Sequence, residues 1–428
     1  MNRPVLLIAV CVGWLCIAHL QAAEVPKVIE IKGEGIGFRF ASLSPDGAKL
    51  VTGAGNTARV WCANTGQELL ALRHPDRVLQ ATFSPDGKRI AVSNVDSTDR
   101  TLCAAGQEWR AVNCVTRIWC VESGQELHKI DGWRPVFSSD GKRVITMTGN
   151  HIAGNWAVHV WDVASGEELH KFKGIGVMAI AGGISSGSVS CDGKKILTMS
   201  TNADVHIFDA ALGIELTVHI WDAESGKELQ RWENDGPGSV FAFSPDGKKI
   251  AARGAGLFSV RIWDIESGEE VQKLEGHELW VDSIAFSPDG KKVVTTSSDE
   301  TARIWCVESG RELQRLQGDP NDRHRNVLFV IPPPLGRDGY AKVQFDYAAF
   351  SPDGTKVFTT GGHIDGVIRV WNVASGRELH VLEGHASGDT LRFIVSSDGK
   401  KMVTHAGSFT VLIWDLERLP SRPAIRDF

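Results

Sequence analysis

The sequence predicts an all-β chain assembled from eight copies of one small four-stranded antiparallel sheet. Three observations predict it. The motif S-x-D-G begins at Ser44, Ser84, Ser138, Ser190, Ser244, Ser287, Ser351 and Ser396. Each copy is followed by an apolar, β-rich run that ends in Trp61, Trp119, Trp161, Trp221, Trp263, Trp305, Trp371 or Trp414. After seven of these Trp residues comes a turn such as Glu308-Ser309-Gly310, then a further short strand such as Leu313–Leu316. Self-similarity at this period is the signature of a repeat architecture.

The segment 276–316 shows why one unit forms four strands. Val281–Phe286 alternates in polarity, as a half-buried strand does. Ser287-Pro288-Asp289-Gly290 is a turn, in which Pro presets φ and Gly accepts the left-handed conformation. Lys292–Thr296 is the second strand, and Ser298-Asp299-Glu300 turns it. Thr301–Trp305 is the third strand, and after the Ser309-Gly310 turn Glu312–Leu316 is the fourth. A sheet this small cannot bury both faces alone. Radial stacking of copies solves that and leaves only short edges.

With Gly276-His277, Ser298-Asp299 and Trp305 in these positions, the unit resembles a blade of a WD40 β-propeller, and the resemblance covers residues 28–418. It implies a hydrogen-bonded network of His277, Thr295 or Ser297, Asp299 and Trp305. His74 and His385 stand at the His position of their own units, and Asp365 at the Asp position. Other units depart, with Gly55, Asn113, Asn155 and Ser408 where Asp299 stands. Residues 28–32 match a fourth strand, whereas the last unit stops at its third. The N-terminal strand is therefore expected to complete the final blade and close an eight-bladed ring. Seven blades, the more usual number in the family, is the alternative.

Strand order sorts the loops onto two faces. The first-to-second and third-to-fourth turns share one face, and all are short. The second-to-third loops and the links between blades share the other. From S-x-D-G to Trp the spacings are 17, 35, 23, 31, 19, 18, 20 and 18 residues, so units two, three and four carry insertions on the second face. In unit four, residues 204–229 read DVHIFDAALGIELTVHIWDAESGKEL, a duplicated third strand and turn. Trp221 is expected in the blade core, with residues 203–216 extending the loop. The link after Trp305 is also long and includes Arg323, His324 and Arg325. Long loops in a compact fold concentrate function.

Trp109, Trp133, Trp156 and Trp280 lie off the repeat and are placed on loops or loop edges of the second face. Together with Arg134, Arg323, His324 and Arg325 they are candidate binding residues, since Trp and Arg are typical interface anchors. The plainer role for each Trp is to pack an insertion down.

Composition narrows the function. The net charge is −6 without a long run of one sign, which gives no reason to expect a nucleic acid or an anionic membrane as partner. Residues 1–23 read as a signal peptide: Arg3, an apolar run from Val5 to Leu20, then Ala22-Ala23. That implies a periplasmic or secreted domain over 24–428 without a membrane span after cleavage. An export signal on such repeats resembles bacterial WD-repeat proteins. Cys62, Cys120 and Cys306 each follow a periodic Trp. Cys103 and Cys114 flank one loop and could form a disulfide or stay reduced. No zinc spacing, phosphate loop, nucleophile elbow or dinucleotide fingerprint occurs, so no metal, cofactor or catalytic residue is assigned. The expected function is a monomeric, non-catalytic scaffold that binds a protein or peptide on the second face. The alternative is a propeller enzyme or small-ligand binder with its site at the channel mouth.

Overall fold

A computed structural model describes residues 28–32, 37–95, 114–149, 155–175, 190, 194–201, 216–233, 240–254, 258–317, 347–360, 367–385, 392–405 and 410–419. These residues form eight antiparallel sheets, seven of four strands and one of three. The three-stranded one is blade four, and residues 176–189, where its first strand is expected, lie outside the described residues. Eight blades, not seven, follow from this count.

The S-x-D-G motif sets each first turn through a recurring set of bonds. In blade six the Ser287 hydroxyl donates to Asp289 Oδ1 (2.6 Å) and accepts from Lys292 N–H (2.9 Å). Asp289 Oδ1 also accepts from Lys291 N–H at 3.0 Å. The Ser287 bond, then that N–H, hold the Asp289 carboxyl below the usual range. Gly290 has φ 69°, where a Cβ would be strained.

The core lies between blades. Eight buried apolar clusters occur among the described residues, one at each junction of neighbouring blades. Each periodic Trp wedges against the preceding blade. Trp305 packs with Ile262 and Leu274 of blade five, and Trp371 with Ile304 and Leu316 of blade six. Trp221 occupies this place in blade four, opposite Ile196 as Trp305 is opposite Val293. Its near-copy Phe208 lies outside the described residues.

Two further repeats were not read from the sequence. The residue two before each Trp pairs with the first Glu of the next strand in seven blades. The pairs are Arg59–Glu68, Arg117–Glu126, His159–Glu168, His219–Glu228, Arg261–Glu270, Arg303–Glu312 and Arg369–Glu378. Two residues beyond that Glu, the outermost strand reaches across to the next blade. His128 bonds Ala164 O (3.1 Å), His170 bonds Glu224 O (2.7 Å), Gln272 bonds Glu308 O (3.0 Å) and Gln314 bonds Ala374 O (2.8 Å). These histidines are inter-blade clamps.

The ring closes through the N-terminus. Val28–Lys32 pairs antiparallel with Thr410–Trp414 as the outermost strand of blade eight. Ile31 is buried with Val411, Ile413 and Phe38 at the junction of blades eight and one. Deleting Val28–Lys32 is expected to expose the Thr410–Asp415 edge and open this cluster. A thermal melt should show a midpoint lowered by several degrees, and size-exclusion chromatography should show association through the bare edge. An unchanged melt would contradict the closure.

Candidate functional site

Blade six carries the complete side-chain network. His277 Nε2 lies 2.7 Å from Thr295 Oγ1, and Trp305 Nε1 donates to that oxygen at 2.8 Å. His277 Nδ1 lies 2.8 Å from Asp299 Oδ2, and Thr301 Oγ1 donates to Asp299 Oδ1 at 2.6 Å. The hub hydroxyl is therefore Thr295. The His277 and Asp299 side chains are 2% and 5% exposed. Burial alone would raise the Asp299 pKa. The bonds from His277 and Thr301, and the charge of His277, outweigh it and hold the carboxyl well below the usual range.

The network fixes a loop on the second face. Asp299 Oδ2 accepts from Glu278 N–H (3.1 Å), Ser297 Oγ donates to Leu279 O (3.2 Å), and Ser298 N–H donates to Trp280 O (3.0 Å). Held at each successive backbone position, residues 278–280 turn two apolar side chains outward. Leu279 is 48% and Trp280 46% exposed.

Large exposed apolar residues among the described residues fall into two groups. Leu69, Leu127, Leu169, Leu229, Val271 and Leu313 form a periodic belt on the outermost strands, with Val28 on the outermost strand of blade eight. The others are Phe258, Leu279, Trp280, Tyr347 and Ile394. Phe258, Leu279, Trp280 and Tyr347 lie at the second-face ends of blades five, six and seven. Ile394 lies on the innermost strand of blade eight. Of these five, only Trp280 was a candidate from the sequence. Leu279 had a visible signal, an apolar residue beside an off-repeat Trp.

The other candidates are scattered. Trp133 opens the first strand of blade three and is half-buried against the cluster shared with blade four, so it packs rather than forming a rim. Arg134 follows it with φ 55°, its guanidinium 4.5 Å over the Trp133 ring. Trp156 is the second residue of the third strand of blade three, at its loop edge, opposite Gly174. Trp109, Arg323, His324, Arg325 and Cys103 lie outside the described residues. Cys114 opens the third strand of blade two and is buried. No group of three or more potential metal ligands is gathered among the described residues, and no helix there is long and apolar enough to cross a membrane.

Residues 268–306 and 346–372 match the family model described as WD domain, G-beta repeat. The chain is a WD40 β-propeller. A comparison with the curated proteins finds no match. Among solved structures the propeller is similar to the crystal structure of the computationally designed Ika8 protein, with a TM-score of 0.59 and 21% identity over 90% of this chain and 98% of that one. At that identity the likeness shows the fold alone.

Blade two of the WD40 ring has the His and Trp of the network without its hub. Val92 stands where Thr295 stands, and both Trp119 Nε1 and His74 Nε2 are buried without a partner. Burial drives the His74 pKa down to about 4, against the bond to Asn94 and aided by Arg117. Val92→Thr supplies an acceptor to Trp119 and a partner to His74. It is expected to stabilise the protein by about 1 kcal/mol, read from the denaturant midpoint at constant slope. A loss of stability would show that the hub position does not set the network.

Proposed function

We propose that this WD40 propeller is an exported, non-catalytic scaffold that binds a protein or peptide through its second face. WD40 propellers are commonly interaction scaffolds. The observation that carries the reading is the second group of exposed apolar residues. The belt repeats around the ring, as a structural feature must. Phe258, Leu279, Trp280 and Tyr347 break the repeat and gather on one face of three consecutive blades. Exposed apolar patches of this kind mark interaction sites, and Trp is the commonest hot-spot residue. The network beneath Leu279 and Trp280 makes them pre-ordered, which lowers the entropy cost of binding.

A Leu279→Ser/Trp280→Ala protein is expected to lose its specific partner at least tenfold in quantitative capture experiments. Leu313→Ser on the belt should retain it. Equal recovery by both variants would sink the reading. Export rests on the apolar run from Val5 to Leu20. Intact-mass measurement of the protein from its native cells should show residues 1–23 removed. A chain beginning at Met1 in the cytoplasmic fraction would contradict it.

A further inference from the structure

The link from blade five to blade six crosses the second face as Glu275-Gly276-His277-Glu278-Leu279-Trp280. His277 is buried in the network, and the three residues after it are exposed in succession. Exposed side chains do not fix their own backbone. Here the turn at Ser297–Asp299 fixes it, through the Glu278 N–H, the Leu279 carbonyl and the Trp280 carbonyl. Glu278, Leu279 and Trp280 therefore form one held surface, in which a carboxylate adjoins two large apolar side chains.

The same bonds lay the turn of blade six against the link, and the turn is acidic. Ser298 Oγ donates to Asp282 Oδ2 at 2.9 Å. Glu300 N–H donates to Ser297 O at 3.2 Å, and Glu300 sits in the turn with φ 64°. The acids have different roles. Asp299 faces inward to His277 and to Arg303, whose Nη2 is 3.5 Å from Oδ2. Glu275 pairs with Lys273 on the outermost strand of blade five. Arg253 is a cation that reaches this link, and its Nη1 donates to Val281 O at 3.0 Å. Glu278 is the exposed acid directly beside Leu279.

Two features of this surface select the same kind of charge. The Glu278 carboxylate attracts a cation, and so does the face of an exposed indole, through its ring quadrupole. Lys and Arg also carry an apolar stem that can lie along Leu279. Charge complementarity thus names the occupant that the apolar pair alone leaves open. Neither feature suits an anionic partner.

We propose that Glu278, Leu279 and Trp280 bind a segment of a partner protein in which an apolar side chain stands next to Lys or Arg. The apolar side chain rests on Leu279 and Trp280, the cation pairs with Glu278, and Glu300 on the adjoining turn adds to the negative potential. This inference rests on the second-face reading, and one experiment separates the two.

Random peptides displayed as a library are selected on the folded full-length protein. Enriched peptides are expected to carry Lys or Arg beside an apolar residue. Glu278→Gln should weaken such a peptide about fivefold, with an unchanged thermal midpoint. Glu278→Lys should weaken it further and should prefer the same peptide with its cation changed to Glu. A merely structural Glu278 would not give that exchange of preference. Leu279→Ser/Trp280→Ala should weaken every form of the peptide. If the peptides need Leu279 and Trp280 but carry no cation, or Glu278→Lys leaves the preference unchanged, the cation pairing is wrong and the face reading stands. If they depend on Glu278 but bind the Leu279→Ser/Trp280→Ala protein normally, the face reading falls and this proposal with it. If no peptide is enriched, both fall. If peptides bind only a variant lacking residues 319–336, the chain's own link is the occupant and the proposal is overturned.

Discussion

Everything in this molecule depends on apolar burial between blades. A four-stranded sheet of short strands has two apolar faces and no interior. Each face is covered by the next copy, and the periodic Trp fills the wedge toward the preceding one. The contact is head-to-tail: the face that holds the Trp always meets the face opposite it on a neighbour. Such a heterologous contact ends only by closing on itself. The Glu-paired residues refine this geometry, some with the cationic partner buried, as at His159, Arg303 and Arg369, while the outer-strand clamps lie where water competes and each bond is worth less.

The same economy explains how the second face acquires rigidity. Among the described residues blade six has all the polar parts, and its network bonds backbone atoms of residues 278–280. A buried, fully bonded set of side chains over-determines a loop that would otherwise be free to move. The result is an exposed apolar pair held by a polar foundation. Blade two kept the His and the Trp and lost the hydroxyl at Val92. Its fold persists because burial of Val92 and Trp119 between blades one and two does not need that bond.

The architecture was readable in the sequence because it is written eight times. Turn chemistry at S-x-D-G, two-residue alternation and the closing Trp all have local causes, and repetition removes the ambiguity of each. The N-terminal strand could be placed because Val28–Lys32 matches a fourth strand with no third strand before it. The site was less readable. Trp133 and Trp280 are equally off-repeat in the sequence, yet one packs partly buried against a core cluster and the other is 46% exposed. What separates them is strand register and the atoms beneath, which a linear pattern does not carry.

Closure also sets an order of events in time. The strand that opens the ring, Val28–Lys32, has as its partner Thr410–Trp414, at the far end of the propeller sequence. Until that segment arrives, the early strand is an unpaired edge, and the pairing it awaits spans nearly the whole chain. Contacts so distant in sequence form slowly. Glu30 and Lys32, 3.4 Å apart once folded, put opposite charges on that waiting edge, a feature that discourages pairing with other chains. The strand that completes the ring is therefore also the one most in need of protection while the ring is incomplete.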